Sequence, residues 1–160
     1  MYATRIANVT LRFLPVILIA FLLPSPYNMT LPPTFMTFIV FAISLIISSI
    51  LVTSITMLYH LITFFTMDEK GIISFLMVFG EIFSGGTVPI VFFPKFMQFI
   101  AKLLPFQYIC DLPFRIYSGN ISINESISVL IGGLIWSVVM IIFGYLLSRK
   151  ALKNASVQGG

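Results

Sequence analysis

Long apolar runs, separated by short polar or proline-bearing stretches, set the pattern of this 160-residue chain. Phe35 to Leu58 is unbroken and apolar, and it reaches the roughly 20 residues that a bilayer-crossing helix needs, so it predicts a span over 35–58. Ile127 to Ser148 predicts another over 127–148, with Arg149, Lys150 and Lys153 directly behind it. Ile72 to Phe93 predicts a third over 72–93, interrupted by Glu81 and then by FSGGTVPIVFFP. Phe13 to Leu23 is shorter; Pro15 suits a first helical turn, and flanking residues extend this span to about 11–27. A secretory signal has the same layout, but the LPSPYN that follows carries no small-residue cleavage site. The apolar runs are continuous and not alternating, which selects helices over a membrane barrel.

The connecting stretches carry their own patterns. PSPYNMTLPPT, Pro24 to Thr34, reads as a tight external turn, and its Asn28-Met29-Thr30 matches a glycosylation sequon by chance. YHLITFFTMDEKG, Tyr59 to Gly71, holds the cluster Asp68-Glu69-Lys70 and reads as an aqueous loop with His60 at its interfacial edge. Between Pro94 and Gly119 the chain is too polar to span and too apolar for an ordinary loop. There Lys95, Gln98 and Lys102 recur at three and four residues among Phe96, Met97, Phe99, Ile100, Leu103 and Leu104, predicting a short amphipathic helix bounded by Pro94 and Pro105. Gln107, Asp111 and Arg115 continue a polar stripe, Asp111 and Arg115 are spaced to pair, and Pro113 is predicted to break that segment in two. The fold class is therefore an all-α membrane protein: about four transmembrane helices, with a re-entrant or interfacial helical pair over 94–119 between the last two.

Ser84, Gly85, Gly86, Pro89 and Pro94 give the third span its character. A helix that ends or bends inside a membrane needs residues that tolerate unusual backbone angles or lack an amide donor, and the polar groups so released must be buried in protein or face water. Two readings fit: a span that breaks near the outer face and feeds the helical pair, or a helix end followed by a surface-lying loop. Glu81 lies about 13 Å along the helix from Ile72, near the bilayer centre. A carboxylate there marks either a transport pathway or a polar contact between helices. Ser44/Ser48 and Ser49/Thr53/Thr56 recur at helical spacing, lining helix contacts or a pore, and Gly133, Ser137 and Gly144 form a small-residue face for close helix approach.

Composition narrows the class further. Hydrophobic residues make up 59% of the chain and charged ones 9%, against roughly 25% charged in soluble domains. One cysteine, Cys110, excludes an internal disulfide framework; with one histidine there is no metal-ligand cluster, so no cofactor or metal is expected. The net charge of +4 is scattered among apolar segments and forms no run for nucleic acid. Counted over four spans, Arg5, Arg12, Lys70, Arg149, Lys150 and Lys153 fall on one side and Lys95, Lys102 and Arg115 on the other, which places both termini in the cytoplasm. There is no GxxxxGK[ST] phosphate loop, no HExxH, no Ser/His arrangement and no intramembrane Asp pair, so no catalytic residues are assigned.

GIISFLMVFGEIFSGGTVPIVFFPKFMQFIAKLLPFQYICDLPFRIYSGNIS, with the closing ALKNASVQGG, resembles the C-terminal part of the membrane subunits of type-2 ABC exporters. The resemblance rests on Ser84, Gly85 and Pro89, then Phe93-Pro94, Leu104-Pro105-Phe106, Pro113, Tyr117 and Gly119, and on the terminal Val157-Gln158-Gly159-Gly160. It runs from about Asp68 to Gly160. It implies a multi-pass permease of a prokaryotic plasma membrane that works as a dimer, or with a complementary permease half, beside a cytoplasmic ABC ATPase. The helical pair would form the external side of the path. On that reading Glu81, Ser84, Gly85, Gly86, Pro89 and Pro94 form the bend and pathway, and Lys95, Lys102, Asp111 and Arg115 the external mouth. Such permeases carry further helices ahead of these and a cytoplasmic coupling helix, so the resemblance also implies a truncated or split permease. A small non-transporting scaffold or regulatory subunit is the alternative.

Overall fold

A computed structural model describes residues 31–63 and 69–158, together with Ile19 and 22–24; side chains are described over 31–62 and 71–152 within those stretches. Most of the span expected over 11–27, the sequon at Asn28, Arg5, Arg12, Asp68 and the side chains of Lys70 and Lys153 lie outside the described residues. The chain divides into two compact units, 1–33 and 34–160. In the first, Leu23 N–H donates to the Ile19 carbonyl at 3.0 Å, the bond of one helical turn. All elements that follow belong to the second unit, which is helical throughout, with no strand among the described residues.

Helix α1, Phe35–Thr63, starts where Pro32-Pro33 gives way to Thr34, whose hydroxyl accepts the Thr37 N–H at 3.2 Å as an N-cap. Its 29 residues run about 44 Å, enough to cross a membrane. The many hydroxyls on this apolar helix are cheap to hold there, because Ser44, Ser49, Thr53, Ser54 and Thr56 each donate to a carbonyl three or four residues back. Helix α2, Glu69–Ser84, is apolar but only 16 residues long.

Beyond α2 the chain makes a 3₁₀ turn at Ile90–Phe92, helix α3 (Lys95–Leu103), a second 3₁₀ turn at Pro105–Tyr108 and helix α4 (Asp111–Tyr117). Pro113 does not break α4. It stands at the third helical position, where its missing N–H has no intrahelical acceptor to lose. Helix α4 instead ends in a Schellman cap, with Gly119 at φ +72°, Gly119 N–H donating to Ile116 and Asn120 N–H to Arg115.

Helix α5, Ile123–Gln158, begins with a capping box: Glu125 Oε2 accepts the Ser122 N–H at 3.1 Å while Ser122 Oγ accepts the Glu125 N–H at 3.3 Å. That box starts the helix before the apolar run, and no proline or glycine after Arg149 stops it before Gln158. Among the described residues, α1 and α5 are the two helices long and apolar enough to cross a membrane, over Phe35–Ile62 and Ile123–Leu152.

The most extensive contact in the unit is between α1 and α5. Their small-residue face is used here: a Cβ at Gly133 would stand 2.9 Å from Ile47, Gly144 lies against Leu58, and Ser137 is buried with its hydroxyl on the Gly133 carbonyl. Two apolar clusters pack the short segments. One joins Val40 of α1 to Leu112 and Ile116 of α4 and Ile121; the other joins Phe83 of α2 to Ile90 and Ala101, with Phe79, Phe93 and Phe106 packed around it. Tyr108 locks the short segments to the long helices. Its backbone carbonyl accepts Ser48 Oγ at 2.7 Å, and its ring lies on the bare backbone of Gly132.

A Cβ at Gly132 would fall 2.5 Å from the Tyr108 hydroxyl and 3.0 Å from two ring carbons. Gly132→Ala is therefore expected to destabilise the purified chain by about 1–3 kcal/mol in detergent unfolding. Adding Tyr108→Phe, which removes the nearest atom, should recover part of that loss; no recovery would show that the ring is not wedged against Gly132.

Candidate functional site

The end of α2 is built by three residues in succession. Ser84 Oγ donates to the Glu81 carbonyl at 2.8 Å and accepts the Gly86 N–H at 3.2 Å, so one hydroxyl satisfies both an orphan acceptor and a donor just past the helix. Gly85 adopts φ +77°, which an L side chain resists, and reverses the chain. Pro89 then opens the 3₁₀ turn.

This turn is held from a distance by Asp111. Its buried carboxylate accepts the Ile90 N–H through Oδ1 at 3.2 Å, and its Oδ2 stands 3.7 Å from Arg115. The arrangement leaves no room at Gly85, where an added Cβ would lie 2.9 Å from the Asp111 Cβ. The Ile90 bond matters more than the ion pair, because a buried amide without an acceptor costs about 1–3 kcal/mol while a long, half-exposed pair contributes little. Gln98 secures the other side by donating to the carbonyls of Val91 and Phe93 at 3.1 and 2.8 Å, and Gln107 donates to Lys102 at 3.0 Å. With these bonds made, no buried side-chain polar atom lacks a partner among the described residues.

An open cavity of about 700 Å³ lies at this junction. Gly85, Gly86 and Pro89 form one wall, Val91 and Phe92 another, and Asp111, Phe114 and Arg115 a third, with Ser118 and Asn120 at the edge. The structure thus brings Gly85, Gly86, Pro89, Asp111 and Arg115 to one place; Ser84 acts behind it as the cap. Pro94 precedes α3 as its N-cap, and Lys95 and Lys102 stand exposed on α3, where neither lines the cavity.

Glu81 is not part of the cavity either. It stands in the last turn of α2, because the helix stops at Ser84 and does not run on toward Phe93. A carboxylate at a helix C-terminus faces the negative end of the dipole, and Glu81 is exposed there, accepting the Thr87 hydroxyl at 3.2 Å. It lines a smaller pocket of about 200 Å³ with Thr56 and Tyr59 of α1, Met77, Gly80 and Phe106. Neither the place of Cys110, whose Sγ lies 3.6 Å from where a Gly86 Cβ would sit, nor that of Tyr108, which anchors the whole segment, is foreshadowed by the sequence pattern. No local signal marks either residue.

Among the described residues the chain is helical, with two apolar helices of membrane-crossing length and a shorter apolar helix and short helical segments folded against them, the architecture of a helical membrane protein. The family model described as ABC-2 family transporter protein matches residues 2–159, and the chain belongs to that family. No curated protein and no solved structure matches the chain. The chain is therefore an ABC transporter permease located in a membrane, a component that associates with an ABC ATPase and is not itself catalytic.

Gly85→Ala is expected to cost about 1–2 kcal/mol from the left-handed backbone alone, and more once the Asp111 contact is displaced. Asp111→Asn keeps an oxygen for the Ile90 N–H and should destabilise less than Asp111→Ala, both read by thermal unfolding of the purified chain. Equal losses would assign the role of Asp111 to its charge beside Arg115, not to the Ile90 bond.

Proposed function

We propose that this chain is a membrane subunit of an ATP-driven exporter, that ATP is hydrolysed on a separate cytoplasmic ABC ATPase, and that the interrupted end of α2 with its cavity forms the outward part of the path. The observation that carries this reading is the cavity itself. A helix interrupted in a membrane protein is tolerated where its backbone is buried in protein or lines a water-filled space, and here Gly85, Gly86 and Pro89 line the cavity while the Ile90 N–H just past them is taken by Asp111. The walls are apolar except for Asp111, Arg115 and the small polar groups at the edge, which suits an amphipathic cargo.

A second permease polypeptide, a copy of this chain or a complementary half, completes the path on this reading. Support comes from α1, whose Ser49 and Thr53 lie exposed on a face that none of the described residues of the unit covers, although such residues favour helix contacts in membranes. The distribution of Lys and Arg supports both termini lying in the cytoplasm, and the family resemblance supports a multi-pass protein of a prokaryotic plasma membrane. Glu81, exposed at the last turn of α2 and bordering α1, belongs to the path as the proposal has it.

Gentle purification of the tagged chain from its native membranes is expected to recover an ABC ATPase and a permease polypeptide, identified by mass spectrometry. Recovery of the chain alone would overturn the transport role in favour of a non-transporting membrane component. In the assembled complex, Glu81→Gln should reduce export by about tenfold if the carboxylate serves the path; unchanged export at normal expression would remove its charge from the mechanism.

A further inference from the structure

Helix α3 has three faces. Met97 and Ala101 turn inward, Ala101 fully buried; Phe96, Phe99, Ile100 and Leu103 form an apolar stripe at i, i+3, i+4 and i+7 that points away from the protein; and Lys95 and Lys102 flank that stripe. The stripe is bare: Phe96 and Phe99 are 66% and 65% exposed, and Phe92, just before the helix, is 77% exposed. An amphipathic helix that turns its apolar face outward needs an apolar occupant there.

We infer that this face of α3 is a lipid-binding surface, with Phe96, Phe99 and Leu103 among acyl chains and Lys95 and Lys102 on the phosphates of anionic phospholipid. Position supports it: α3 follows the apolar α2 after one turn-rich stretch and packs its inner face, Met97 and Ala101, against Phe83 at the end of α2. Charge decides the occupant. The sequence KFMQFIAKL has two lysines, two helical turns apart, and no acid. A two-fold contact between copies centred on the stripe would bring four lysines together without a counter-charge, whereas lipid phosphates supply the opposite charge at the level where lysines snorkel.

The test places a bimane label at Phe99→Cys in a Cys110→Ser background of the full chain. The labelled protein is reconstituted in phosphatidylcholine vesicles containing the same mole fraction of either brominated phosphatidylglycerol or brominated phosphatidylcholine. Quenching by the anionic lipid should exceed that by the neutral one by at least about threefold. The preference should fall to about one in Lys95→Gln/Lys102→Gln, and in the original lysine background at high salt, which needs no further substitution. A second label at Val138→Cys, exposed on α5, should show equal quenching throughout and reports insertion. Equal quenching by both lipids at Phe99→Cys, quenching only by aqueous iodide, or disulfide cross-linking of Phe99→Cys between copies would each overturn the inference.

Discussion

An interrupted helix in a membrane protein is stable only if the backbone groups it releases find partners inside the protein, and in this chain that requirement falls on Asp111. Its carboxylate takes the Ile90 N–H, which the turn after α2 would otherwise leave buried and unpaired. Ser84 and Gln98 complete the same task on either side of the turn. Gly85 is confined by this arrangement twice over, by its positive φ and by the closeness of Asp111. The cavity exists because these bonds hold the turn open against α4 without filling the space between them.

The rest of the unit serves to keep Asp111 in place. Helix α4 is fixed to α1 through Leu112 and Ile116, and the 3₁₀ turn before it is fixed to both long helices by Tyr108, through the Ser48 hydroxyl on one side and the bare backbone of Gly132 on the other. Close packing of α1 on α5 across Gly133 and Gly144 aligns those two anchor points. Small residues thus do two different jobs in one seam: Gly133 and Gly144 admit a neighbouring helix, and Gly132 admits a side chain from the second 3₁₀ turn. Both contacts rest on shape and dispersion, which is what remains to hold helices together where lipid is as apolar as the side chains.

Much of this was legible along the chain because it is periodic or local. The apolar runs gave an all-helical membrane protein, the lysine and phenylalanine spacing announced α3, and the Ser84-to-Pro94 stretch resembled the family to which the chain belongs. What could not be read depends on distant partners. Asp111 lies 21 residues from Ile90, so its carboxylate looked like a surface group spaced to meet Arg115 when its shorter contact is with backbone. Glu81 was set near mid-membrane by counting along a run that continues apolar past Ser84, whereas hydroxyl capping ends the helix there and leaves Glu81 in its last turn. Pro113 was read as a breaker because the start of α4 is set by tertiary packing and not by any local cap.

Water access to the cavity beside the interrupted helix is the property on which the transport account stands. It is measured most directly by placing Ser118→Cys, at the cavity edge, in a Cys110→Ser background of the assembled complex in its native membrane and treating it with a membrane-impermeant thiol reagent from each side in turn. Modification from the external side, with export slowed by the attached group, is the expected result. Modification only from the cytoplasmic side, or from neither, would contradict the placement of this cavity on the outward part of the path.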